Sequence, residues 1–509
     1  MPAEAPGPTR AVDAWSAFGR LDTVLFVLGA ATLWAASAPA SRWAPRARVA
    51  SGAAAVALVG ARAISPPHGF DAPLAGPFVA LFAAALMLAA GLADLGAPRS
   101  RPAAPQGPPH AAGGAAIYQA GEERAARVES LRALAALSVV AVHVYLISEA
   151  SLPEPIARVF KGGAYGVFFF LTLSGYLLFR PFARHLIDGV PGLRLRDYAL
   201  NRALRILPLY FFAVVVLLGL EVNGGLPRDW WRFALFIENF SESTVLRADS
   251  PMWSLVVEIH FYIVLPLVAF LVARVARGSR GRAALAIATL GLLSLGLRLV
   301  YVSLSSAPNF RWTFSLATLF YFFAGGMLLA LLRMAWEERP PQWLSGNLAK
   351  ADVWMLASVP LWVVSLLRKE FELAVAAAAF LVLAACVLPL RAGLLTRALE
   401  WRPLAVLGIA SYSLYIWHVP LITTVADNQV RFPPPGGRLS GHPHDLLYVA
   451  VAALPVCVAV ALASYATIES PFLRLRRQWA ARTGARGAAV PDQAPSGQPL
   501  EGAPSPKRA

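Results

Sequence analysis

The stretch RVESLRALAALSVVAVHVYLI, Arg127 to Ile147, decides how the rest of the chain is read. Charge collects at its amino end, the residues after Arg132 are almost wholly apolar, and one histidine, His143, lies far along it. A run of this length and character makes a membrane-crossing helix. An ionisable side chain inside such a span is costly, and it marks a functional position more often than a packing one. Arg132 and His143 have ten residues between them. At about 100° per residue they return to nearly the same helix face, and at about 1.5 Å per residue they stand roughly 16 Å apart. One face therefore carries a fixed cation at the membrane boundary and a titratable imidazole well inside the hydrocarbon.

The remaining sequence has the composition of a scaffold around that face. Of 509 residues, 57% are hydrophobic and only 15% charged, and the mean hydropathy is +0.57. This predicts an all-α polytopic membrane protein, with the lipid bilayer as its partner along most of its length. Apolar runs at 23–39, 49–64 and 73–95 predict three N-terminal transmembrane helices in a first region, 1–95. Ten more are expected in 127–475, at 131–149, 164–183, 206–222, 253–272, 283–304, 312–332, 352–367, 372–390, 404–424 and 446–468. Between the two groups, 96–126 is rich in Pro, Ala and Gly and reads as a flexible linker. Residues 476–509 read as a disordered tail. Cys386 and Cys457 both fall in apolar runs, where they pack rather than pair.

A net charge of +16 would suit a nucleic-acid binder, but the placement of the charges argues for membrane topology instead. If the linker is cytoplasmic and the loops alternate from there, 30 of the 45 Lys and Arg fall on the cytoplasmic side. Twelve fall on the other side, and Arg62, Arg132 and Arg298 lie within spans. That is the positive-inside bias. It predicts a multi-pass protein of the plasma (cytoplasmic) membrane, N-terminus outside and C-terminus inside, with no nucleic acid as partner. A cleaved leader would invert this map. Ala36-Ser37-Ala38 has the small residues of a cleavage site, but Pro39 follows it, and Arg10 and Arg20 are balanced by Asp13 and Asp22.

Five stretches in order carry a family resemblance. The Arg132–His143 spacing resembles the first-helix signature of the acyltransferase 3 family of integral-membrane O-acyltransferases. GVFFFLTLSGYLLFRPF (166–182), with its Leu-Ser-Gly-aromatic turn, resembles the second helix, and NRALRILPLY (201–210) resembles the motif of two arginines three apart. MWSLVVEIHFYIVLPL (252–267) resembles the Trp-Ser-Leu-x-x-Glu motif. SYSLYIWHVPLI (411–422) resembles the penultimate helix, and Glu469-Ser470-Pro471 the end of the domain. The likeness covers about 127–475 and leaves the three early spans outside it. One departure is that Ile259 and His260 follow Glu258 where the family often has a second acidic residue.

The resemblance implies transfer of an acyl group, usually acetyl, from cytoplasmic acyl-coenzyme A to a hydroxyl of a glycan, glycolipid or other acceptor. Acyl-coenzyme A would be a co-substrate, and no bound cofactor is implied. The residues suit that chemistry. A desolvated imidazole stays neutral and nucleophilic near pH 7, so His143 can act as base or carry the acyl group. Arg132 suits a phosphate of the donor by charge and fork geometry, against the alternative of a headgroup anchor. Arg202 and Arg205 share a helix face and would extend the same phosphate site, or else supply ordinary positive-inside charge. Glu258 could orient or protonate His143 or bind the acceptor, the alternative being a structural pair with an arginine. His418 precedes Pro420, expected to kink its helix, and could line the acceptor entrance. Ser174 reads as a packing position and Ser254 as a helix cap.

Other chemistries find little support. There is no Walker A loop, dinucleotide-binding glycine pattern, His-Glu-x-x-His or Gly-x-Ser-x-Gly. His442, His444 and Asp445 are too few, in a Pro/Gly-rich loop, for a metal site to be expected. A multispan transporter or flippase is the alternative, since buried ionisable groups also suit a translocation path, but no internal repeat supports it.

Overall fold

Each of the ten apolar runs after the linker folds as helix, and the described residues form no strand beyond one isolated bridge between Lys350 and Arg391. The computed structural model describes residues 111–191, 193–304, 310–367, 372–427 and 443–482. The three early spans and His442 lie outside them. Helix α1 runs Ala111–Ile147, starting inside the stretch whose composition suggests a linker. Helices α2 (Glu154–Gly162) and α3 (Gly166–Leu186) follow across a single 3-10 turn. Next come α4 (Leu195–Gly219), α5 (Met252–Ala276), α6 (Arg280–Leu304) and α7 (Leu316–Glu338). Helices α8 (Ala351–Leu367) and α9 (Glu372–Val387) form an adjacent pair. Helices α10 (Arg402–Ile409) and α11 (Ser411–Asp427) meet at 74°. Finally α12 (Pro443–Ser464) passes through a π-helical turn, Tyr465–Glu469, into α13 (Ser470–Arg482).

Among the described residues, seven helical segments are long and apolar enough to cross a membrane, or eight if α10 and α11 are one broken span. Helices α8 and α9, at 17 and 16 residues, fall short of the roughly 20 that a crossing takes. The protein is thus an all-helical, multi-pass membrane protein. The ten spans expected in 127–475 are all helical, but seven or eight of them, not ten, meet that length among the described residues.

Three glycine contacts set the packing. A Cβ on Gly175 would collide with the Phe323 carbonyl, and one on Gly326 with the Thr172 carbonyl, so α3 and α7 touch backbone to backbone. A Cβ on Gly408 would likewise strike the Glu129 carbonyl, which holds α10 against α1. Arg127 reinforces that end, reaching Glu400 at 2.6 Å. Three apolar clusters fill the interior. One spans α3, α5, α7 and α9, one lies between α4, α5 and α11, and one between α1, α11 and α12. The polar side chains of interest stand where these clusters meet.

Candidate active site

Helix α1 delivers His143 against α11. The ring is half-buried, and its Nδ1 lies 2.8 Å from the carbonyl oxygen of Val139, one turn back. A carbonyl only accepts, so in the neutral ring Nδ1 carries the hydrogen. The same reasoning applies to His418, which is fully buried, with Nδ1 2.7 Å from the Tyr415 carbonyl. Its Nε2 is then the bare nitrogen, and it faces His143 Nδ1 at 3.2 Å, a longer second acceptor for the hydrogen directed at Val139. The two rings stand edge to face, centroids 4.9 Å apart. In this arrangement, assigned from the hydrogen-bond partners, His143 keeps a free lone pair on Nε2. An imidazole set in that tautomer can take a proton or attack a carbonyl carbon at Nε2.

A second feature lies next to the pair. A cavity of about 790 Å³, counting its mouth, is lined by Arg132, Arg202, Arg205, Ser174, Glu258 and Tyr262, with Ser254, Ser411, Tyr412 and Tyr415 completing its polar wall. The arginines come from α1 and from the opening turns of α4, the acid from α5. Arg132 is 8% exposed and pairs with Glu129 at 2.9 Å. Arg202 and Arg205 have no carboxylate within ion-pair distance among the described residues, and Nε of Arg202 is buried without an acceptor. Cations left in this state are costly unless something else meets them. Glu258 is bracketed by hydroxyls. Tyr262 donates to Oε2 at 2.5 Å and Ser174 to Oε1 at 3.2 Å.

The structure therefore brings Arg132, Arg202, Arg205 and Glu258 together around one cavity, and His143 and His418 together beside it. The two groups meet at Tyr415, which lines the cavity while its ring lies 5.7 Å from that of His418. Phe170, also in the lining, crosses Tyr415 edge-on at 6.0 Å. Glu258 hydrogen-bonds to Ser174 and Tyr262 rather than to His143, and pairs with no arginine. His418 lines no part of the cavity. The sharp break falls at Ala410, and α11 continues as helix through Pro420.

Several residues at the site escape a reading of the sequence. Ser174 holds Glu258 instead of only packing. Ser254 does not cap α5 but bonds Tyr415 Oη at 2.6 Å, tying α5 to α11. Glu469, on the π-helical turn, accepts from Ser413 Oγ at 2.5 Å, while Ser413 also meets Ser464, the acceptor of the Trp417 indole N–H. π-Helical turns are rare and recur at functional sites, a signal that shows only in the structure.

A model described as "acyltransferase domain" matches residues 126–466. The O-acetyltransferase OatA of Staphylococcus aureus is 24% identical over 375 residues, covering 68% of this chain and 56% of that protein. YrhL of Bacillus subtilis, named as a candidate peptidoglycan O-acetyltransferase, is 28% identical over 327 residues, 58% of this chain and 48% of that one. The peptidoglycan O-acetyltransferase OatA of Listeria monocytogenes is 25% identical over 325 residues, 58% and 49% of the two chains. The chain thus spans about half the length of these relatives. No solved structure matches. The Arg132–His143 face, the paired arginines of α4 and the Trp-Ser-Leu-x-x-Glu segment all fall within the matched region, and the chain belongs to the acyltransferase 3 family.

Proposed function

We propose that the protein transfers an acyl group, acetyl in the first instance, from acyl-coenzyme A to a hydroxyl of a cell-surface glycan or glycolipid. The donor phosphates enter from the arginine-rich end, which is the cytoplasmic one, and Arg132, Arg202 and Arg205 hold them. The thioester extends toward Tyr415 and the histidine pair. His143 Nε2 takes the proton of the attacking hydroxyl as its oxygen bonds to the thioester carbon; the carbon–sulfur bond breaks and the thiolate leaves, to be protonated as free coenzyme A. If the acyl group first rides on the imidazole, Nε2 is the atom that carries it, and the requirement for a bare Nε2 is the same. Glu258, with Ser174 and Tyr262, is placed to bind a polar group of donor or acceptor inside the cavity. The names of the Bacillus and Listeria relatives make peptidoglycan the acceptor class to try first.

The observation that carries this reading is the commitment of both Nδ1 atoms to backbone carbonyls, which leaves the His143 Nε2 lone pair free, in a histidine pair that Tyr415 separates from a cavity walled by Arg132, Arg202 and Arg205. The test is acetyl-coenzyme A turnover by the purified full chain with an added glycan, read as free thiol released and acetyl ester formed. His143→Ala should lower the rate by about 100-fold or more while the protein elutes as the same monodisperse species. Unchanged thiol release in that variant would overturn the assignment.

A further inference from the structure

Helix α11 starts inside the bundle. Only Ala410 separates it from α10, and the 74° turn there means that its first N–H groups are not received by a preceding helical turn. The first N–H to find a backbone carbonyl is that of Leu414, bonded to Ala410 at 2.9 Å. Ser413 is taken by Glu469, through its hydroxyl at 2.5 Å and with its N–H facing the same carboxylate. The N–H groups of Ser411 and Tyr412 meet no acceptor among the described residues, as expected of a helix start.

A second observation points the same way. Ser411 is only 1% exposed, lines the cavity, and its Oγ has no hydrogen-bond partner among the described residues. A buried hydroxyl left unmatched costs stability unless a ligand meets it. It shares the cavity with Arg132, Arg202 and Arg205, so the positive end of a helix dipole and three guanidinium groups bear on one space.

We propose that the start of α11, meaning the Ser411 hydroxyl with the N–H groups of Ser411 and Tyr412, is an anion seat that receives phosphoryl oxygens of the donor alongside the three arginines. The inference rests on the acyl-coenzyme A reading and deepens it. The arginines supply charge, whereas the helix start supplies short directional donors that suit the non-bridging oxygens of a phosphate ester. Glu469 then has a stated task. It occupies the Ser413 end of that first turn, so that an incoming anion is confined to the Ser411 end.

The experiment is calorimetric titration of the purified full chain in a sugar-based detergent with coenzyme A and with pantetheine, which lacks the phosphates. Ser411→Asp should weaken coenzyme A binding about tenfold or more by like-charge repulsion and leave pantetheine binding unchanged. Should the Asp variant fail to fold, Ser411→Ala, which loses one neutral hydrogen bond, is expected to weaken coenzyme A about threefold. Unchanged coenzyme A affinity in both Ser411 variants, while Arg205→Met weakens it, overturns the seat and leaves the acyl-coenzyme A reading standing. If the unmodified chain does not bind coenzyme A, that reading falls, and inorganic pyrophosphate becomes the probe. Pyrophosphate binding weakened by Ser411→Asp would keep the seat for another phosphate source, and its displacement by phosphatidylglycerol micelles would identify a lipid headgroup. No pyrophosphate binding would remove the seat.

Discussion

Arg298 and Arg205 both lie within apolar helices, and the protein treats them in opposite ways. Arg298 is buried against the start of α9. Its Nε and Nη2 reach the two oxygens of Glu372 at 3.0 and 2.8 Å, and Nη1 reaches the Thr313 carbonyl at 3.0 Å. The same holds at the other end of that half of the bundle, where Arg333 pairs with Glu337 at 2.7 Å and bonds Tyr176 at 2.6 Å. Arg205, at the opening of α4, faces a cavity and has no carboxylate within ion-pair distance among the described residues. In one region charge is closed upon itself and fixes architecture; in the other it is left open toward a space that a ligand could fill. A buried pair contributes little beyond holding its place, whereas an unmatched buried cation signals a missing partner.

Three substitutions would break or sharpen this contrast. The largest effect is expected in the open half, at His418. His418→Leu removes the ring that braces His143 and the second, longer acceptor facing its Nδ1–H, leaving the Val139 carbonyl alone to hold its orientation, and kcat should fall about 100-fold. His418→Gln offers an amide oxygen near the lost Nε2 and should recover most of that rate. Equal losses in both variants would reduce His418 to a packing role. A shifted acidic limb in the pH–rate profile of the Leu variant would mark the role in positioning.

The next effect separates the two arginines. Arg298→Met leaves the half-buried Glu372 with the Tyr321 hydroxyl as its partner, and should cost about 1–3 kcal/mol in denaturant unfolding, most of it recovered in the Arg298→Met/Glu372→Leu double variant. Arg205→Met should leave the unfolding midpoint nearly unchanged and raise the donor KM about tenfold. If the two single variants lost stability equally, the distinction between closed and open charge would fail.

The smallest effect concerns a third way of handling a buried ionisable group, neutralising it. Glu238, in the segment between α4 and α5, is 1% exposed, and burial pushes its pKa from 4.5 up to about 8. Tyr210 Oη lies 2.7 Å from its Oε1 and 2.9 Å from the Phe233 carbonyl. One hydroxyl hydrogen can point fully at only one of them, so a protonated Glu238 completes the set. Between about pH 4.5 and 8 the unfolded chain has lost this proton and the folded chain keeps it. Stability therefore falls as pH rises through that window and is level below it. Glu238→Gln should flatten the decline, read as thermal midpoints at pH 5 and pH 8.

What the sequence made legible was whatever repeats along one helix. The Arg132–His143 face needed only spacing, and so did the shared face of Arg202 and Arg205. The helices themselves announced their places by apolar runs between basic loops. Contacts between segments distant in sequence were not legible. Nothing local links Ser174 to Glu258, 84 residues on, or Arg298 to Glu372, or brings His418 to His143 across 275 residues. The break at Ala410 was hidden for another reason. No proline or polar run marks it, and it follows from the close approach that Gly408 allows between α10 and α1. Pro420, the obvious breaker, sits quietly within α11 because an intact bundle surrounds it. The transporter alternative drew on buried ionisable groups alone. Family membership removes its basis, and the unpaired arginines acquire a different explanation.

The backbone-to-backbone seams at Gly175, Gly326 and Gly408 have one more consequence. They pin α3 to α7 and α10 to α1, so the walls carrying Ser174 and the start of α11 are fastened before any small molecule arrives. The ordering that a floppy pocket would demand on each encounter has already been met once, during folding. Such a mouth can load and unload cargo rapidly, and it would tolerate little growth in the girth of what passes through.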